Sequence, residues 1–150
     1  MVKIEKELNM NFRNEHQKLF LNLLFTANWL RHMDIERLRP YGLSPQQFNI
    51  LRILRGAKGK RMSMGSILER MLDRAPNATR LTDKLIAKGL VVRERCEEDR
   101  RVVYLSISTK GQELINSMDD ETERMIALVA QKLTKEEAET VNAVLDKLRS

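Results

Sequence analysis

Two apolar, β-prone runs, Leu90 to Val92 and Val102 to Ile107, stand on either side of a polar segment with charges of both signs in residues 89–107, GLVVRERCEEDRRVVYLSI. Short β-branched runs around a polar, charged centre predict a β-hairpin whose tip lies in solvent. A helix-like segment, Asn77 to Lys88, feeds the hairpin directly through Gly89. A helix passing into a two-stranded ribbon with arginines at its tip has the layout of a winged helix. In that layout the helix enters a DNA major groove and the ribbon reaches the flanking backbone or minor groove.

Charge points the same way. The chain has 150 residues and a net charge of +6. Residues 44–107 hold fourteen Lys or Arg against seven Asp or Glu, a net of +7, and the rest of the chain nets −1. Positive charge concentrated on one folded unit is the footprint of a polyanionic partner, since neutralised phosphates release condensed counterions; a solvated basic surface gives the same count. The length fits one compact domain, extended by dimerisation. No apolar run reaches the roughly 20 residues of a membrane span, and the first residues carry no apolar signal core, so a cytoplasmic protein is expected. The single cysteine, Cys96, excludes an internal disulfide framework.

Along the chain, a first helix is predicted from Phe12 to Arg39, with Leu19, Leu23, Ala27, Leu30 and Leu38 near a 3.6-residue period, stopped by Pro40 and Gly42. Ser44-Pro45-Gln46-Gln47 forms a capping box that opens a second helix carrying Phe48, Leu51 and Leu54. After a small basic turn, Gly56 to Lys60, Ser63 caps a short helix, Met64 to Leu72, the first of a helix-turn-helix. The second, Asn77 to Lys88, turns Leu81, Leu85 and Ile86 inward and is the candidate recognition helix. Beyond the hairpin, Thr109 with Gln112 predicts a capping box for a helix running through Leu114, Met118, Met125, Leu128 and Val129. Thr134 with Glu137 predicts another for a last helix striped by Ala138, Val141, Val144, Leu145 and Leu148. Amphipathic helices at both ends of so small a domain need a further surface to cover their stripes, and a second copy related by a two-fold axis is the commonest one.

This order, with LSPQQFNILRIL and TRLTDKLIAKGLVVRERCEEDRRVVYLSISTKGQELI, closely resembles the MarR family of bacterial transcriptional regulators over roughly residues 19 to 148. Leu85 to Val91, Arg93, Asp99-Arg100-Arg101 and Ser108 to Gly111 carry the resemblance most specifically. It implies a mainly α fold with a small β-hairpin wing: a winged helix-turn-helix lobe at 44–107, and dimerisation helices at 1–43 and 108–150. It further implies a homodimer addressing a pseudo-palindromic operator in double-stranded DNA, acting as a repressor released by a small, aromatic effector.

By the same resemblance Arg101 or Arg100 inserts in or beside the minor groove, and Asp99 holds the wing by pairing with a neighbouring arginine. Ser63, Asn77, Ala78, Thr79, Arg80 and Lys84 fall on the DNA-binding elements. Arg80 has an alternative, an ion pair with Asp83 or Asp99. Phe25, Trp29, His32, Phe48 and Met71 are candidates to line an effector crevice, although aromatics at helical spacing also serve as plain core. The segment Glu69 to Pro76 departs from the commoner family turn and leaves the register of the recognition helix open.

Catalysis is not expected: the chain offers His16, His32, Cys96, no glycine-rich phosphate loop and no nucleophile motif. His16 and His32 would stand about 24 Å apart on one helix, too far to share a metal, and no cofactor is expected. Cys96 has arginines nearby that favour a thiolate; otherwise it is an exposed thiol without a role. A winged-helix protein-interaction module is the competing reading, but it would carry a neutral or acidic recognition helix in place of Arg80, Lys84 and Lys88.

Overall fold

A computed structural model of the chain describes residues 2–73, 77–95 and 102–150. In order they form α1 (Ile4–Glu7), α2 (Glu15–Leu38), a 3-10 turn (Arg39–Tyr41), α3 (Pro45–Gly56), β1 (Met62–Ser63), α4 (Met64–Arg70), α5 (Ala78–Ala87), β2 (Val91–Arg95), β3 (Val103–Ile107), α6 (Thr109–Ser117), α7 (Asp119–Ala130) and α8 (Lys135–Leu148). The fold is mainly helical with one small antiparallel sheet in the order β1-β3-β2.

Local chemistry sets most of the boundaries. Asn14 accepts a bond from the Gln17 amide at 2.9 Å and so starts α2 at Glu15, three residues after the predicted start. Pro40 lies in the 3-10 turn and Gly42 takes a left-handed φ of 62°, which ends the helical path as expected. Two of the three predicted capping boxes, at Ser44/Gln47 and Thr134/Glu137, are formed reciprocally. Ser63 caps α4, accepting from the Ser66 amide at 3.1 Å, but α4 ends at Arg70 and not Leu72.

Three expectations need correction. The cap of α6 is Ser108, not Thr109: Ser108 is extended and its hydroxyl accepts from the Gly111 amide at 3.0 Å, whereas Thr109 is already helical. The helix beyond it does not run unbroken to Val129, because it is interrupted at the fully buried Met118 and restarts with Asp119, Asp120 and Glu121 in the first turn of α7. Acidic side chains there favour a helix N-terminus electrostatically. The wing is also more than a two-stranded ribbon. Met62 and Ser63 pair with Leu105 and Tyr104, adding a third strand, and β2 continues through Arg93, Glu94 and Arg95 to pair Arg95 with Val103.

The core lies inside the segment 38–118. Ile50, Leu51 and Leu54 of α3, Ile67 of α4, Leu85 of α5 and Leu105 of β3 are almost completely buried, and Leu38 and Met118 join them from outside 44–107. Each such aliphatic side chain contributes on the order of 1.5–3 kcal/mol when removed from water. By contrast α7 and α8 bury no residue at all, and α2 buries Leu38 alone. No described helix is long and apolar enough to cross a membrane.

Candidate nucleic-acid interface

Ala78, Leu81, Thr82 and Leu85 are the buried positions of α5, spaced to share one helical face, and the Thr82 hydroxyl donates to the Ala78 carbonyl at 2.8 Å. The opposite face leaves Thr79, Arg80, Asp83 and Lys84 in solvent, with Asn77 exposed at the N-terminal end. Ala78 is therefore removed from the candidate contact set. It is 3% exposed, and a helix that aims Leu81 and Leu85 at the core aims Ala78 there too. Asn77 makes no side-chain capping bond, so its amide remains available to an outside partner.

The C-terminal end of α5 is tied down at several points. Gly89 has a φ of 71°, its amide bonds to the Ile86 carbonyl at 2.8 Å, and the Leu90 amide bonds to the Leu85 carbonyl at 3.0 Å, a Schellman closure. Lys88 donates from Nζ to the Gly42 carbonyl, and Ser108 donates to the Gly89 carbonyl at 2.7 Å. An ion pair between Arg93 and Asp83 joins β2 to the solvent face of α5. Asp83 is thus engaged by Arg93 and not by Arg80, and among the described residues no carboxylate forms an ion pair with Arg80. Asp99, Arg100, Arg101 and Cys96 lie outside the described residues.

Ser63 is half-buried, its hydroxyl engaged with the Ser66 amide and, at 3.0 Å, the Ser66 hydroxyl. It lines a cleft of about 590 Å³ bounded by the turn after α3, by α4 and by the start of β3. Lys58, Lys60, Arg61 and Arg70 also line it, and among the described residues no carboxylate does. The basic turn at Gly56 to Lys60 was visible in the sequence; its convergence with Arg70 and Tyr104 was not.

The five candidate effector residues are divided. Phe48 and Met71 are buried in the core, and the Arg37 guanidinium sits 4.6 Å from the centre of the Phe48 ring. Phe25, Trp29 and His32 lie on α2 and are exposed, Trp29 by 55%. None of the five lines the basic cleft or the second cavity, about 380 Å³ beside Leu133 and Val141. Among the described residues no group of three or more His, Cys, Asp or Glu is placed to hold a metal ion.

The sequence model of the MarR family matches residues 41–102. The chain is 29% identical over 117 residues to the HTH-type transcriptional regulator MhqR of Bacillus subtilis (strain 168), covering 78% of this chain and 79% of MhqR. It is 31% identical over 117 residues to the uncharacterized HTH-type transcriptional regulator YkoM of the same organism, covering 74% of this chain and 73% of YkoM. In fold it is similar to S. aureus MepR in a crystal structure of the MepR–DNA complex, with a TM-score of 0.78 at 21% identity over 92% of this chain and 97% of that one. These relatives are named as regulators of transcription. With the winged three-stranded sheet, the cationic face of α5 and relatives matched over most of their length, the chain belongs to the MarR family of winged-helix transcriptional regulators.

Proposed function

We propose that two copies of this chain form a homodimeric repressor that sits on a pseudo-palindromic operator and leaves it when a small aromatic effector binds. DNA-binding regulation is the function of the family. The observation that carries it is the uncovered apolar surface of α7 and α8. Ile126, Leu128, Val129, Val141, Val144 and Leu148 are all exposed on helices that bury nothing, next to a lobe whose net charge is +7. A second copy covers that surface and pairs two cationic lobes, which then meet half-sites about one helical turn apart.

In this reading Asn77, Thr79 and Arg80 face base edges, Lys84 and Ser63 face phosphates, and Arg101 or Arg100, steadied by Asp99, reaches the minor groove. The DNA-bound MepR structure supports a duplex partner, and the similar Bacillus subtilis protein YetL, named as a transcriptional repressor, supports repression. A fold neighbour described as an organohalide-sensing regulator was solved in a 2,4-dichlorophenol-bound form, which supports an aromatic effector. Phe25, Trp29 and His32 would meet that effector at the dimer face. A ligand that prefers one spacing of the lobes depletes the spacing that fits the operator.

The test is a mobility shift on the chain's own upstream DNA across a salt series, with the dimer mass measured by sedimentation. Log affinity is expected to fall by roughly 0.9 per phosphate contact for each log unit of salt. Arg101→Ala should weaken binding and leave the dimer whole. Flat salt dependence, or a monomer at micromolar concentration, overturns the reading.

A further inference from the structure

We infer that the basic cleft at the β1 edge of the sheet is a second DNA contact, which holds the sugar–phosphate backbone outside the base pairs met by α5. The inference rests on the operator-binding reading above and adds a site to it. Lys58, Lys60, Arg61 and Arg70 converge on one concavity of about 590 Å³, with Ser66 and Tyr104 as hydroxyl donors and no carboxylate among the described lining residues. Arg61 is fixed in the wall, paired with Glu94 at 2.9 Å and 5.2 Å from the centre of the Tyr104 ring. A concave surface of one charge sign focuses its field, and ammonium, guanidinium and hydroxyl groups together match the oxygens of a phosphodiester.

The backbone supports the same assignment. Lys58 is a non-glycine residue at a φ of 50°, followed by Gly59 at 81°. A side chain in the left-handed region is uncommon and carries a conformational cost, so a lysine at that position, with glycine next to it, is a pointer to function. The placement relative to α5 gives the site its identity. The sheet order is β1-β3-β2, with α5 tied to β2 through Asp83 and Arg93, while the cleft opens at the opposite edge, beside β1 and the start of β3. The two cationic surfaces thus belong to opposite edges of one sheet, and a duplex lying across that sheet from α5 would meet the cleft with its flanking backbone.

The experiment compares the wild-type chain with the triple variant Lys58→Gln, Lys60→Gln, Arg70→Gln, whose side chains are exposed and whose dimer mass and helicity are checked first. Affinity is measured against salt on a long operator duplex and on one trimmed to the half-sites. Three lost phosphate contacts should make the log–log slope shallower by about 2 to 3 on the long duplex. The trimmed duplex should give both proteins the same slope. Should the wild-type chain show no salt-dependent DNA binding at all, the operator reading falls and the cleft falls with it. Wild-type binding with an equal slope for the variant on the long duplex overturns the cleft alone, including when the variant has lost binding of inorganic phosphate, which would assign the cleft to a small anion.

Discussion

Gly111 sits where no side chain fits. A Cβ added there would lie 2.2 Å from the Leu90 carbonyl oxygen and 2.9 Å from Cγ1 of Ile107, so the first turn of α6 rests directly on the backbone at the start of the wing. Gly111→Ala must push backbone apart, and is expected to cost at least about 1–3 kcal/mol, read as a lower urea midpoint. Gly89 is required for a different reason: open space surrounds it, but its φ of 71° closes α5. Gly89→Ala should cost about 1–2 kcal/mol in the same assay, from the clash of Cβ with its own backbone and not with any neighbour. Together they explain why the Ser-Thr-Lys-Gly run at 108–111 and the glycine before Leu90 belong to the residues that carry the family resemblance. At the same scale Ala78 shows the limit of carrying positions over by resemblance, because the periodicity of α5 already turned it inward.

The break between α6 and α7 is an element-level device. Three contacts grip the first turn of α7 from the lobe side: Arg55 to Asp119 at 2.7 Å, Tyr41 to Glu121 at 3.1 Å, and Arg37 to Thr122 at 3.4 Å. They tie the ends of α2 and α3 to the helix that would enter a dimer, and so set the direction in which the lobe faces. The hydrogen bond to Glu121 holds the Tyr41 hydroxyl above its usual range, so this contact is complete below about pH 10 and is lost as pH rises through the raised value. Tyr41→Phe is expected to lower the urea midpoint and to flatten the alkaline limb of the stability–pH curve. An alkaline limb identical to the wild type would remove Tyr41 from the clasp. At the other end of the chain, Lys18 holds the Glu5 carboxyl below its usual value at 2.6 Å, so the docking of α1 on α2 persists above the ordinary carboxylate range and is lost as pH falls through the lowered value.

At the scale of the whole molecule, the buried core and the exposed apolar surface lie in different places. The lobe is packed around α3, while α8 leaves Val141, Val144 and Leu148 in water, Leu148 by 62%. Covering them in a dimer makes stability depend on concentration. The wild-type melting temperature should therefore rise with protein concentration. Val144→Asp places a charge on that face and should give a monomer whose melting temperature is independent of concentration, with half-site affinity retained and operator affinity reduced at least tenfold. A concentration-independent wild-type melt would contradict the proposed assembly.

Helices α2 to α5 and α8, the two reciprocal capping boxes, the hairpin and the basic middle of the chain were determined by the sequence itself, because each depends on signals within a few residues: a cap, a glycine, a 3.6-residue or two-residue period. The short α1 was not among the helices read from it. What lay beyond that window was decided by tertiary structure. The pairing of Met62 and Ser63 with β3 made a third strand from an unassigned residue and a helix cap. Burial of Met118 broke a helix whose apolar spacing runs straight on. Phe48 and Met71 went into the core and Trp29 stayed outside, though all three looked alike as apolar residues at helical spacing. The cationic cleft joins Lys58 to Tyr104, far apart in the chain, and only packing of α4 against the sheet brings them together. Local preference selects the elements, but which surfaces meet depends on the apolar area each placement buries, and that sum is taken over the whole folded chain.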